Sequence, residues 1–147
     1  MTRTHFTFPI RVYYEDTDAA GVVYYANYLR YMERARTEWL ESLGFPLAAF
    51  EREHRVAFAV HHAEIDFLRP ARLSDLLDVS VEARERGACR LVVAQQVSRD
   101  GVALVQATIA LACVDAIRFR PARIPARLAR ALCDATGVSR PAMAMNP

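Results

Sequence analysis

Residues 13–43 read Tyr13-Tyr14-Glu15-Asp16-Thr17-Asp18-Ala19-Ala20-Gly21-Val22-Val23-Tyr24-Tyr25-Ala26-Asn27-Tyr28-Leu29-Arg30-Tyr31-Met32-Glu33-Arg34-Ala35-Arg36-Thr37-Glu38-Trp39-Leu40-Glu41-Ser42-Leu43. The stretch opens as the end of a strand and passes through a short acidic loop, Glu15 to Gly21. It then becomes a long amphipathic helix. Tyr28, Met32, Ala35, Trp39 and Leu43 recur at helical spacing, while Arg30, Glu33, Arg34, Thr37, Glu38 and Glu41 fall mostly off that stripe. Gly44 followed by Pro46 is a stop signal. Two carboxylates, Asp16 and Asp18, therefore arrive beside the start of a buried helix, where unpaired amides and a partial positive charge are available. That combination suits acyl chemistry.

Outside this stretch the pattern turns to strands. Phe8 to Tyr14 reads as the first. Val56 to Leu68 changes phase: Val56, Phe58 and Val60 are apolar on one parity, Ile65 and Phe67 on the other, which implies a bulge near His61–Ala63. Leu77, Val79, Val81 and Ala83 alternate with polar residues, as a half-buried strand does. Leu91, Val93, Gln95 and Val97 form another alternating run. Asp100-Gly101 is a two-residue hairpin signal. Val102 to Val114 is apolar on nearly both faces and so reads as central. Short helices are expected at Pro46–Arg52 and Pro125–Ala135, with a tail over residues 136–147. The order of strand, long helix and four antiparallel strands predicts an α+β fold, a five-stranded antiparallel sheet wrapped around one helix.

The chain has 147 residues, enough for one domain with a core, and 53% of them are apolar. A formal charge of +2 gives no case for a nucleic-acid partner. All 19 basic residues are Arg, which excludes Schiff-base lysine chemistry and a P-loop lysine. No Gly-x-Ser-x-Gly elbow or Gly-x-Gly-x-x-Gly fingerprint occurs, so a serine α/β-hydrolase and a dinucleotide fold are not expected. Three scattered cysteines, no signal-peptide core and no membrane-length apolar run point to a cytoplasmic protein with free thiols. His62, Glu64 and Asp66 share a strand face, but three alternating polar residues fit a solvated face better than a metal site, and no metal is expected.

Several strings resemble the hotdog-fold acyl-CoA thioesterases of the 4-hydroxybenzoyl-CoA thioesterase family, and most closely its Tol–Pal-associated, YbgC-type branch. They are residues 12–24, then Tyr28 and Glu33 to Glu38, and further on Arg55-Val56-Ala57-Phe58, Pro70-Ala71-Arg72-Leu73 and Arg86-Gly87. The resemblance spans residues 7–130. It implies hydrolysis of acyl-CoA to a carboxylic acid and coenzyme A without a cofactor, by dimers joined at their sheet edges or by tetramers of these. The active sites would lie at the dimer interface. It places the catalytic carboxylate on Asp18 and the oxyanion-binding amide on Tyr25. Close relatives in this branch often carry His at this last position; a backbone role survives that difference and a side-chain acid–base role does not. Gly21, Tyr24 and Asn27 are expected around the substrate, Asn27 alternatively as a helix cap. Arg86 and Arg90, with Arg118 and Arg120, are candidates for the coenzyme A phosphates. Asp16 is expected to brace the loop through backbone N–H groups. The alternative function is a binding module that holds acyl carrier protein or an envelope complex, with little hydrolysis. A hotdog hydratase fits the acidic loop less well.

Overall fold

The computed structural model describes residues 5–136; the sequence tail at 137–147 lies outside them. Five strands form one antiparallel sheet: β1 (Phe6–Arg11), β2 (Val56–Phe67), β3 (Leu76–Arg86), β4 (Arg90–Arg99) and β5 (Val102–Asp115). Their spatial order is β1-β3-β4-β5-β2. The long helix α1 (Asn27–Ser42) lies across one face, with α2 (Leu47–His54) and α3 (Ala126–Thr136) packed at its margins.

The core is what the alternation demands. Leu77, Val79, Val81 and Ala83 are fully buried, as are Val93 and Val97 of β4. They face Tyr28, Tyr31, Met32, Ala35, Trp39 and Leu40 of α1. Leu43 ends that helix rather than sitting within it, and Leu40 takes the buried place. The stop is a Schellman closure: Phe45 N donates to the Leu40 carbonyl and Gly44 N to that of Glu41, both at 2.9 Å. Gln95 is the polar exception on the inner face. Its amide donates to the carbonyls of Met32 (3.1 Å) and Ser80 (3.2 Å), and its oxygen accepts from Arg36 Nη1 (3.0 Å). Burial lowers the Arg36 pKa, against the opposing effect of Glu33.

The phase switch in β2 has a simple cause. Val60 pairs with Leu111, but His62 pairs with Ala110, so His61 is an extra residue in the ladder. The insertion returns Ala63, Ile65 and Phe67 to the face already used by Val56, Phe58 and Val60. Asp100 and Gly101, at φ 51° and 80°, make the tight turn between β4 and β5, where left-handed backbone matches the twist of the strands.

Two sequence expectations are corrected. The first strand ends at Arg11, because Tyr14–Asp16 form a single 3-10 turn and Tyr13 is its cap. The aromatic side chains of Tyr13 and Tyr14 mimic strand propensity. The apolar β5 is an interior strand, yet the middle position belongs to β4.

Candidate active site

The acidic loop is a small hairpin. Thr17 bridges Val23, Gly21 N donates to the Asp18 carbonyl and Asp18 N to that of Val22, each bond 2.9 Å long. Gly21 sits at φ 80°, with nothing near the position a Cβ would take. Its requirement is backbone conformation, not space. At the tip, the Asp18 carboxylate is exposed. Its Oδ1 accepts from the N–H groups of Ala20 (2.9 Å) and Val22 (3.4 Å). Among the described residues its Oδ2 has no hydrogen-bond partner. One oxygen orients the group while the other faces outward.

Asp16 braces the loop. Its Oδ2 accepts from Tyr13 N at 2.8 Å, and its carbonyl accepts from Tyr24 N and from Asn27 Nδ2, both at 2.9 Å. Asn27 is thus the first helical residue rather than a cap; Ala26 holds the cap position. Beneath this turn lies the hydroxyl of Tyr31, buried close to the Asp16 carboxylate. Burial, then the nearby Asp16 carboxylate, raises its pKa.

The loop is tied to the segment that leads into β3. Val12 N donates to the Asp75 carbonyl (2.9 Å), Ser74 N to that of Val12 (3.0 Å) and Val23 N to that of Ala71 (2.9 Å). Tyr28 Oη accepts from Ala71 N at 3.0 Å. The Asp75 carboxylate accepts from Arg72 N (2.8 Å) and Arg99 Nη1 (2.6 Å). Burial works to raise the Asp75 pKa, but these two donors hold it below its usual value.

Tyr24 and Tyr25 follow the hairpin, with ring centroids 5.0 Å apart. Tyr25 also meets Phe67 edge-on at 6.1 Å, and Tyr28 meets Phe67 at 5.9 Å. Tyr25 is 62% exposed, and among the described residues no acceptor takes its backbone N–H. An open amide at the start of α1, beside an aromatic wall, can bind an oxyanion.

Asp18, Gly21, Tyr24, Tyr25 and Asn27 are therefore placed on one hairpin and the helix start that follows it. Arg86 and Arg90 are not. They flank the β3–β4 turn at the far end of β3, where Gly87 N donates to the Arg90 carbonyl. The acidic loop is anchored at the near end of β3, and an eleven-residue strand separates the two by about 33 Å. Arg90 lies 3.5 Å from Glu85 Oε1, while the buried Nε of Arg86 has no partner among the described residues. On the outer face of β2, His62 and Glu64 are exposed and 3.7 Å apart. No group of three potential metal ligands exists among the described residues. Cys113 is buried, which pushes its thiol up to about 11.

The sequence reading missed the local turn in which Asp75 accepts from Arg72 N, and the pair of Asp75 with Arg99, which is long-range and leaves no local pattern. Phe67 was visible only as an apolar strand residue.

The thioesterase-like superfamily matches this chain over residues 12–132. The acyl-CoA thioesterase YbgC of Haemophilus influenzae is 43% identical over 125 residues, covering 85% of this chain and 92% of that one. A 1,4-dihydroxy-2-naphthoyl-CoA hydrolase of Nostoc punctiforme is 34% identical over 139 residues, covering 92% and 94%. Among solved structures, a 1,4-dihydroxy-2-naphthoyl-CoA thioesterase from Synechocystis superposes with a TM-score of 0.81 at 30% identity, covering 88% of this chain and 96% of that one.

Proposed function

The chain belongs to the thioesterase-like superfamily and is a thioester hydrolase of the hotdog fold, and from that premise we propose that it cleaves acyl-CoA to a carboxylic acid and coenzyme A through Asp18 and the Tyr25 amide. The observation that carries the site assignment is the Asp18 carboxylate, with one oxygen held by Ala20 and Val22 and the other unbound, on the loop that runs into the open amide of Tyr25.

The thioester carbonyl oxygen accepts from Tyr25 N–H. Asp18 Oδ2 either attacks the carbonyl carbon or takes a proton from the attacking water. Charge grows on the carbonyl oxygen in both routes, and a fixed donor is worth about 10²–10³ in rate there. Collapse breaks the C–S bond and releases the coenzyme A thiolate, which takes a proton from solvent; on the nucleophile route it leaves an acyl anhydride on Asp18, which water then hydrolyses to the carboxylic acid and the free Asp18 carboxylate. No cofactor is needed, because the activated group is part of the substrate. Gly21 allows the loop its turn, Tyr24 and Asn27 shape the entrance, and Arg86 and Arg90 bind phosphate. The unit works in the cytoplasm as a single hotdog domain.

The distance between Asp18 and the arginines supports a dimer, each subunit supplying one half of the substrate site. Of the two sheet edges, β1 is short and carries Pro9, which has no N–H to offer. The β2 edge runs for twelve residues without proline, beside the exposed Tyr25, Leu29, Val60 and Phe67. A second copy pairing there is the assembly we assign.

A thiol-release assay over an acyl-CoA series tests the function. Steady turnover that disappears in Asp18→Ala, with unchanged circular dichroism, is expected. Absence of release with every acyl group, alongside tight binding of acyl carrier protein, would instead support the binding module. Single turnover in H₂¹⁸O, with enzyme in excess, that leaves label in the Asp18 carboxylate instead of only in the released acid identifies the nucleophile route.

A further inference from the structure

We infer that Cys89 and Cys113 form an oxidative modification site: a hydroperoxide oxidises Cys89, and Cys113 closes onto it as a reversible disulfide that fastens the turn carrying Arg86 and Arg90 to β5.

The two cysteines are distant in sequence and neighbours in the sheet. Arg90 pairs with Ala112 and Leu91 with Leu111, so the next step of the ladder sets Cys89 opposite Cys113. Cys113 N donates to the Cys89 carbonyl at 2.8 Å, in keeping with that register. Opposed residues point to the same face of a sheet. For this pair it is the inner face, where Cys113 joins the core with Leu91 and Leu111. Both thiols are free.

The spacing of such a pair nearly suits a disulfide. Its Cα atoms lie about 5.5 Å apart, within the range of roughly 4.4–6.8 Å that the bridge spans. Its Cβ atoms are about 4.5–5.5 Å apart, where the bridge asks for about 3.5–4.5 Å. One residue must therefore move by about an ångström. Cys89 can do so. It precedes the first residue of β4, and the Cys113 carbonyl accepts from Ala122 N (2.8 Å), so among the described residues one ladder bond rather than two ties it to β5. The strain that remains makes the bridge easy to reduce.

The thiols divide the work. Cys89 is partly exposed, whereas Cys113 is buried and its Sγ donates to the Arg123 carbonyl at 3.8 Å. Burial, then the Cys89 sulfur beside it, raises the Cys113 pKa to about 11. An oxidant therefore meets Cys89 first, and Cys113 is kept as the thiol that answers it. The Cys89 thiolate attacks one oxygen of the hydroperoxide. The O–O bond breaks, leaving a sulfenic acid and an alcohol, or water where the oxidant is hydrogen peroxide. The Cys113 sulfur then attacks the sulfenic sulfur, the S–O bond breaks, and hydroxide leaves as water with the Cys113 proton. Two thiols have lost two electrons and the O–O bond has gained them. Gly87 N donates to the Arg90 carbonyl and Ile124 N to that of Ala88, both at 2.8 Å. The bridge thus adds a covalent tie to a turn that backbone bonds hold.

Mass spectrometry tests the site. A Cys133→Ser protein, which keeps only this pair, is treated with hydrogen peroxide, unfolded and alkylated. Expected are the loss of two hydrogens, no alkylated thiol, and a peptide joining Cys89 to Cys113 that dithiothreitol separates. With Cys113→Ser added, Cys89 is expected to run on to the sulfinic acid; Cys113→Ala takes its place if serine in the core unfolds the chain. A sulfinic acid at Cys89 beside an alkylated Cys113 in the Cys133→Ser protein overturns the pair, as does a bridge between the Cys89 residues of two subunits. The fastening is read by amide hydrogen exchange. Gly87 N–H and Cys113 N–H are expected to exchange at least about threefold more slowly after oxidation. Unchanged exchange in a protein shown to be bridged overturns the tie to the turn. Neither measurement depends on hydrolysis, so a protein that releases no thiol from acyl-CoA would leave both outcomes readable.

Discussion

The two ends of the sheet are built on opposite plans. At the Asp18 end, backbone groups are bonded in nearly every direction: Val12 to Asp75, Val23 to Ala71, Tyr24 to Asp16, and Asn27 across the turn. Little is left to move except the Asp18 carboxylate and the tyrosine rings. At the Arg86–Arg90 end the backbone is an ordinary hairpin, and the side chains carry the interest. Among the described residues Arg90 has an exposed carboxylate 3.5 Å away and the buried Arg86 Nε has no partner. A reacting bond needs placement to within fractions of an ångström, whereas a phosphate needs charge at the right distance. The chain spends its hydrogen bonds where position matters.

The contrast breaks first at Asp18. Asp18→Asn keeps an oxygen for Ala20 N and Val22 N, so stability should change by less than about 0.5 kcal/mol. Turnover should fall by about 10²–10⁴. A matching loss of melting temperature would mean that the carboxylate serves the turn rather than the reaction.

Deleting His61 alters what lies between the ends. Without the extra residue, either Val56, Phe58 and Val60 or Ala63, Ile65 and Phe67 must face outward. A cost of about 2–5 kcal/mol in urea unfolding is expected from the lost burial. A deletion that leaves the midpoint unchanged would show that the ladder can shift freely.

Arg90→Ala should act on binding alone. KM for acyl-CoA should rise, by up to about tenfold, with kcat unchanged and with a weaker dependence on salt. The same substitution should leave acyl-pantetheine, which lacks the nucleotide phosphates, unaffected. A fall in kcat would move Arg90 into the reacting region.

The smallest effect concerns Asp75. Its pKa is lowered in the folded protein, so the stability it adds is fully present above the unfolded pKa of about 3.9 and fades as pH drops through the folded value. Asp75→Asn should cost up to about 1 kcal/mol at neutral pH, since the pair with Arg99 is partly exposed, and less at pH 2. Equal losses at both pH values would assign the cost to packing.

Much of the fold was legible because its signals are local. The alternation of Leu77 to Ala83 identified the inner face of β3, the parity change in β2 located the bulge, and Asp100-Gly101 marked its hairpin. The reading of Tyr13 and Tyr14 as strand failed because β propensity competes with turn formation, and Asp16 bonding back to Tyr13 N decides for the turn. In the site, the loop residues could be picked out since they are neighbours in sequence. The pair of Asp75 with Arg99 could not, since it joins positions 24 residues apart whose only link is the folded sheet. Gln95 illustrates a third case. Its position in an apolar alternation was readable, but its bonds to Met32 and Arg36 exist only once the helix lies on the strand.

The long bare margin of β2 has a consequence for the life of the protein. A newly made subunit carries a twelve-residue ladder with nothing to zip onto, and such margins recruit whatever strand comes by. In the dimer proposed above, folding and assembly are one event, and thermal resistance should climb with protein concentration. Substitutions that spoil the pairing would send the chain into aggregates before any loss of catalysis could be scored.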